Sequence, residues 1–485
     1  MEELYKKLYS YHDKDIYPFH MPGHKRNPAF EAGFLPVKQD ITEITGFDDL
    51  HHAEDIIKNA QDFAAGLFGS SEVFFSVNGS TAAIFSAVSA AVRRGGKLLT
   101  ARNCHKSLYH AMYLKEIVPV YIYPGIDRET GICCSIDPEE TERLLSENDD
   151  IEAVFITSPT YDGAVSDIRA IAEAAHRHSV PLIVDEAHGA HFCFSPYFPE
   201  SAVRSGADIV IHSIHKTLPS MTGTSVLHRC TDRISHDKIA RFMSIYQTSS
   251  PSYPMMASLD FCFHFLKDQG KIWFDAFTSR LEQLRNGLSQ FQKIRLMDFY
   301  GAEYRKQKGF YDFDRSKILL SADCVKGGGA GLFRILQEKY LLEPEMSAYN
   351  YVLMMTTMGD TEEGFRRLYE AVSDLENHPE IFISANMDEL SQKRSDFTER
   401  ISERPEPVMR ISEAMDSETA ALPLDQCVGR ISAEFMYLYP PGVPLIVPGE
   451  RISLQFVQNM KRYVSAGMKI AGIRDCSGKY MDCVV

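Results

Sequence analysis

Asp185 closes the run PLIVD, and Lys216 follows DIVIHSIH 31 residues later. Both runs are short, apolar and β-branched, so each reads as a buried strand with an ionisable group just past its end. A carboxylate placed there is costly unless a cation answers it, and a lysine so close to a sheet is seldom structural. One ligand satisfies both. Pyridoxal phosphate would join Lys216 as a Schiff base and turn its pyridine nitrogen to Asp185. An opposite charge within hydrogen-bond reach shifts a pKa by about 1–3 units, which would keep that nitrogen protonated as an electron sink requires. The phosphate would fall on Gly79, Ser80 and Thr81 of VNGST, where backbone N–H groups open a helix. Ser213 and His215 would add donors from the lysine loop. Singly, Asp185 reads equally as a helix cap, NGST as a common turn and Lys216 as a surface lysine. Jointly, at the ends of three strands, they read as a cofactor site.

The elements that must position these residues follow from the periodicity. Val73–Val77 is a short apolar run, Asn78-Gly79-Ser80 a turn, and Thr81 to Arg93 has helical spacing that stops at Gly95-Gly96. Lys97–Thr100, Pro119–Ile122, Ala153–Ile156, Pro181–Val184 and Asp208–Ile211 are further strand-like runs, with a helical stretch at Asp167–His178. Strands alternating with helices predict an α/β fold built on a mostly parallel sheet, with ligands at the carboxyl ends of its strands. Three parts are expected: an N-terminal segment over 1–60, a large cofactor-binding domain over 61–295, and a smaller C-terminal α+β domain over 296–485. Ile272–Phe291 reads as an amphipathic helix bridging the last two. The C-terminal part has its clearest elements at Ser316–Ser321, Ala330–Tyr340, Leu353–Thr357, Glu362–Asn377 and Leu445–Val447.

Composition narrows the partners. The 485 residues are 44% hydrophobic and 24% charged, which excludes a disordered or collagen-like chain. Lys and Arg total 51 against 66 Asp and Glu, a net charge of −15 that disfavours nucleic acid. The 20 uncharged residues from Val73 to Val92 contain Asn78, Gly79 and five Ser or Thr, so they suit a strand, turn and helix better than a membrane span. MEELYKKLYS has no apolar core and does not read as a secretory signal. With ten cysteines and no CxxC pair, cytosolic free thiols are the expectation. His188-x-x-His191 and His212-x-x-His215 have metal-like spacing but no cysteine partner and no HExxH helix, so no metal is expected. His51-His52 reads as a loop, Cys104 and Cys133-Cys134 as ordinary thiols, and Gly327-Gly328-Gly329 as a flexible turn.

VNGST, RNCHKS, SPTYDG, DEAHGAH, SIHKTLPSMTG and YPPGVPLIVPGE together resemble the ornithine/lysine/arginine decarboxylase family, pyridoxal-phosphate enzymes of aspartate-aminotransferase-like fold. PFHMPGHKR and ITEITGFDDLHH are similar to that family's amino-terminal segment. The resemblance runs from about Pro18 to beyond Arg451 and is nearest the shorter bacterial form, with no receiver-like domain ahead. It implies that Lys216 is the Schiff-base lysine and Asp185 the pyridinium partner. His105 would stack on the outer face of the ring, its alternative being a helix-capping histidine. His188 would lie on the ring's side of Asp185 and Thr160 near the ring hydroxyl. Ser80, Thr81, Ser213 and His215 would hold the phosphate.

The implied reaction is decarboxylation of a basic amino acid, arginine or lysine ahead of ornithine, giving the amine and carbon dioxide. Lys216 or His188 would return a proton to the α-carbon. Glu43, Asp48, Asp49, Asp162 and Glu450 are the candidate acids for the distal cation, and the sequence does not choose among them. The family also implies a cytoplasmic homodimer or larger assembly, with the polar loop Tyr246–Tyr253 offering a donor to the partner's phosphate. An aminotransferase or carbon–carbon lyase on the same fold stays open, because Arg410 and Arg451 are available as carboxylate clamps. A non-catalytic regulator would require a basic helix-turn-helix domain, which neither the acidic charge nor the motifs suggest.

Overall fold

The computed structural model describes residues 17–19, 25, 27, 43, 47–299, 301–383, 404–438, 443–465, 470–475 and 477–485. After a first short strand β1 (Tyr17–Phe19), the chain builds β2 (Glu72–Ser76), β3 (Lys97–Ala101), β4 (Val118–Ile122), β5 (Ile151–Thr157), β6 (Ala164–Val165), β7 (Leu182–Asp185), β8 (Ile209–His212) and β9 (Ser225–Arg229). Seven of these form one sheet in the order β2-β9-β8-β7-β5-β3-β4. The strands run parallel except β9, which is antiparallel to both β2 and β8. This is the α/β architecture that the alternating pattern predicts. Leu182, Ile183 and Val184 are wholly buried, as strands covered on both faces must be.

Local chemistry explains most element ends. The uncharged stretch from Val73 divides into β2 and the helix Gly79–Ala91, whose small residues Ala82, Ala83, Ala87 and Ala90 let it lie close on the sheet. Asp167 caps the helix Ile168–Arg177, its carboxylate accepting from the Ala170 N–H at 3.1 Å. Two readings need correction. β9 is not among the expected strands: its apolar stretch is brief, and the connection from β8 has the four-residue helix Ile214–Thr217 as its one helical element. The helix expected at 272 begins at Tyr253 and runs to Leu288, so only Gln247–Ser252 of the expected loop is non-helical. Pro254 belongs to its first turn, where a missing N–H loses nothing.

β10 (Asp312–Phe313) pairs with β6. β11 (Lys317–Ser321), β13 (Met346–Ser347) and β14 (Tyr351–Met355) form a small antiparallel sheet, and β12 (Leu342–Pro344) pairs in parallel with β1. The Tyr17 hydroxyl donates to Asp360 at 2.9 Å, and Lys25 Nζ donates to the Met355 carbonyl at 2.9 Å. Ile318, Val352 and Leu368 share a buried cluster with Phe75, Phe263 and Phe277. Gly327–Gly329 is not a free turn. Gly327 caps the helix Gly328–Tyr340, and a Cβ on Gly329 would sit 2.0 Å from the Ala348 carbonyl oxygen.

Residues 424–483 bury a cluster of their own around Met436, Ile446, Phe456 and Met460. A buried ion pair ties this region to the main sheet. Arg102, just past β3, reaches Glu450 through Nε (3.2 Å) and Nη2 (2.9 Å) and donates Nη1 to the Pro444 carbonyl at 2.8 Å. Glu450 is 1% exposed. Glu450→Gln strands a buried guanidinium and is expected to destabilise the fold by about 3–5 kcal/mol. Urea unfolding checks this, and an unchanged midpoint would show that the pair holds nothing together.

Candidate active site

The 31-residue spacing puts Asp185 and Lys216 at the carboxyl ends of neighbouring parallel strands, where Asp185 pairs with Ile211 across β7 and β8. Asp185 is 3% exposed, and its Oδ1 accepts from the Ala187 N–H at 3.1 Å. Burial raises its pKa, and the charge of Lys216 opposes that rise. Among the described residues no side chain forms an ion pair with it. Burial lowers the pKa of Lys216, against the pull of Asp185 and Glu345. Its Nζ lies 3.0 Å from His188 Nε2, and His188 Nδ1 lies 3.1 Å from Lys317 Nζ. Burial holds His188 well below the ordinary imidazole value, so the ring is neutral.

His105 does two things at once. Its Nδ1 accepts from the Ser107 N–H (3.3 Å) and hydroxyl (2.8 Å), capping the helix Lys106–Lys115. The ring also faces Lys216, and burial brings its pKa down to about 3. The cap fixes a neutral Nε2–H tautomer. Ser80 and Ser213 share a hydrogen bond between their hydroxyls, so the helix start and the lysine loop meet. Gly79 sits at φ +71°, and its N–H donates to the Gly223 carbonyl at 2.8 Å, so that amide is already engaged. Thr81 is exposed on the first turn. His215 gives Nδ1–H to the Thr224 carbonyl at 2.7 Å and is held neutral, with a pKa near 4. Thr160 is buried at the turn after β5, its hydroxyl accepting from the Ala164 N–H at 3.1 Å.

A model of the Orn/Lys/Arg decarboxylase major domain matches residues 2–319, and one of the same family's C-terminal domain matches residues 393–472. The chain belongs to the Orn/Lys/Arg decarboxylase family. It is 33% identical to the arginine decarboxylase of Bacillus subtilis over 97% of this chain and 95% of that one. With the lysine decarboxylase LdcA of Pseudomonas aeruginosa the identity is 24%, over 93% and 74% of the two chains. Among solved structures, the constitutive lysine decarboxylase of Escherichia coli superposes with a TM-score of 0.78 at 21% identity, covering 99% of this chain and 81% of that one. A serine palmitoyltransferase from Sphingomonas wittichii shares the fold more distantly, with a TM-score of 0.52 at 13% identity over 67% and 77% of the two chains. The family, the fold and the class of enzyme expected from the motifs are thus established.

Within this decarboxylase, the structure sorts the candidate acids. Asp48 accepts backbone N–H groups from Asp49, Glu54, Asp55 and Ile57, and Asp49 accepts from His51 and His52. Glu450 is held by Arg102. Glu43 lies exposed, near Tyr253. Asp162 alone of the five adjoins the lysine cluster: Tyr351 donates its hydroxyl to it, and the charge of Lys317 acts on it. Of the two candidate clamps, Arg410 pairs with Glu413 at 2.9 Å and Arg451 with Glu406 at 2.7 Å.

The sequence reading missed Lys317, Glu345 and Tyr161. Tyr161 packs its ring 4.8 Å from that of His188 and donates its hydroxyl to Glu345, whose charge reaches both lysines. Tyr161 stands inside SPTYDG, so the motif held the signal. Lys317 reads as an ordinary strand residue, and nothing local marks it. The histidine pairs also find partners. His191 meets Asp314 at 3.2 Å. His212 lies in a buried chain that runs from Ser70 through His228 and His212 to Glu186 and Ser201. Among the described residues no cluster of three or more His, Cys, Asp or Glu is arranged to hold a metal ion, and no helix is long and apolar enough to cross a membrane.

Proposed function

We propose that the chain is a pyridoxal-phosphate-dependent decarboxylase of a basic amino acid, arginine before lysine. The observation that carries the cofactor is Asp185: a carboxylate buried at a strand end with no cationic side chain paired to it among the described residues, one strand away from a buried lysine. A protonated ring nitrogen is the missing partner. The donor set fits the rest of the group, with the Ser80 and Ser213 hydroxyls at a helix start for its phosphate and the neutral His105 ring for its face. When bound, the cofactor supplies an electron-accepting pyridinium that takes up the electron pair left as carbon dioxide departs.

The side chains supply the remainder. Lys216 is the point of covalent attachment, and Asp185 keeps the proton on the ring nitrogen. Lys216, or His188 beside it, delivers the proton that replaces carbon dioxide. Asp162 and Glu345 are the carboxylates that meet a distal cation. The preference for arginine rests on the arginine decarboxylases of Bacillus, at 31–33% identity, standing nearer than the lysine decarboxylases at 23–24%. The candidate clamps of the aminotransferase reading, Arg410 and Arg451, each pair with a neighbouring glutamate at the surface. A cytoplasmic homodimer belongs to the same proposal.

The test is carbon dioxide release from arginine, lysine, ornithine and norleucine, side by side at saturating cofactor. Norleucine has lysine's straight chain without the ammonium. Carboxylates built for a cation are left unpaired by it, a penalty of several kcal/mol, so its rate should fall about 100-fold or more below that of the best substrate. Equal rates on norleucine and lysine would refute the basic substrate. A keto acid product would refute decarboxylation.

A further inference from the structure

His188 stands between two lysines, with Lys216 Nζ at 3.0 Å from Nε2 and Lys317 Nζ at 3.1 Å from Nδ1. An ammonium has three donors and no acceptor, while a neutral imidazole has one N–H and one lone pair. The ring can accept from one ammonium only. Its other nitrogen carries hydrogen and needs a lone pair opposite. An imidazolium would accept from neither. The trio therefore holds at most one ammonium, and the other lysine is an amine.

The surroundings decide which lysine is charged. Lys317 faces the carboxylates of Asp314 and Glu345 and the amino groups of Lys216 and Lys25. Lys216 faces Asp185, Glu345, His105, His188 and His215. Asp314 is fully buried but is kept ionised by His191 and Lys317, so its pKa lies below the ordinary carboxylate value. Asp185 is shifted the other way by burial. The more strongly ionised acid thus sits beside Lys317. Lys317 is 1% exposed, and its pKa is down to about 8.

We propose that Lys317 is a positioning residue that acts through His188, holding Lys216 as the amine and returning a proton to it on demand; this rests on the reading of Lys216 as the cofactor-linked lysine. The transfer balances. An N–H bond of Lys317 breaks as its proton joins His188 Nδ1, and the proton on Nε2 passes to the lone pair of Lys216. Lys317 ends as an amine, Lys216 as an ammonium, and the ring stays neutral in its other tautomer. No charge is left on a buried imidazole at any stage where the two transfers are concerted.

The experiment reads the ionisation of Lys216 directly. The full chain, stripped of cofactor, is pulsed with acetic anhydride across a pH series, and acetylation of the Lys216 peptide is followed by mass spectrometry. In Lys317→Met the midpoint should rise by about 1–3 pH units, because a neighbouring positive charge is gone and His188 Nε2 can accept from an ammonium. Lys317→Arg keeps the charge and should restore the wild-type midpoint. Its turnover should still fall, because a guanidinium does not release its proton. An unchanged midpoint in Lys317→Met overturns the proposal. Should the methionine variant fail to fold, Lys317→Gln carries the same readout. Borohydride reduction of the wild-type holoenzyme separates the two ideas. A label on another lysine refutes the reading of Lys216, whereas a label on Lys216 with an unmoved midpoint refutes the role of Lys317 alone.

Discussion

Lys216→Ala should lose covalent attachment of the cofactor and decarboxylate at least about 10³-fold more slowly, a barrier increase of about 4 kcal/mol. Two contributions are removed together. The attachment point goes, and so does the amine 3.0 Å from His188 that is placed to carry a proton. Positioned proton transfer alone is worth about 10²- to 10⁴-fold. The fold should survive, because Lys216 lies in a four-residue helix whose neighbours Ile214 and Leu218 supply the packing. Steady-state carbon dioxide release and the absorbance of the purified variant check both halves. Turnover within tenfold of wild type would remove Lys216 from the chemistry.

Asp185→Asn should keep most of the cofactor and lose about 100- to 200-fold in turnover, corresponding to about 3 kcal/mol of lost charge stabilisation. The amide is nearly the shape of the carboxylate, and its oxygen can still accept from the Ala187 N–H, so β7 should end as it does now. What the amide cannot do is hold a proton on a ring nitrogen. Cofactor content by absorbance and turnover on arginine separate binding from chemistry. Near-normal turnover with full cofactor would refute the electron-sink role.

The placement of Asp185 and Lys216 at neighbouring strand ends was legible because its signal is local. Each follows a short apolar run, and a parallel sheet delivers the ends of such runs to one edge. The parallel order itself was legible for the same reason. β9 was not: Ser225–Arg229 is a strand only because β2 and β8 offer it two open edges, one formed about 150 residues earlier in the chain. Lys317 escaped for a related reason. Its partner His188 lies 129 residues away, and a lysine at the head of KILLS looks like a strand residue with a solvated end. His105 shows the converse. The two readings offered for it, cap and ring neighbour, are both compatible with one ring, because capping uses Nδ1 and leaves the remainder of the imidazole to Lys216.

The pairing of β1 with β12 bears on how the chain is made. Tyr17–Phe19 meets Leu342–Pro344, and the hydroxyl of Tyr17 meets Asp360, so these first described residues have no docking edge until some 325 more have been joined. Ribosomes add about 5–20 residues per second, so that wait lasts roughly 15–65 seconds. The seven-stranded sheet needs nothing beyond Arg229 and can close within about the first two-thirds of it. A nascent chain arrested near residue 340 would therefore carry a formed seven-stranded sheet and an unattached β1, and release of the remaining residues would fasten Tyr17–Phe19 to the later half of the chain.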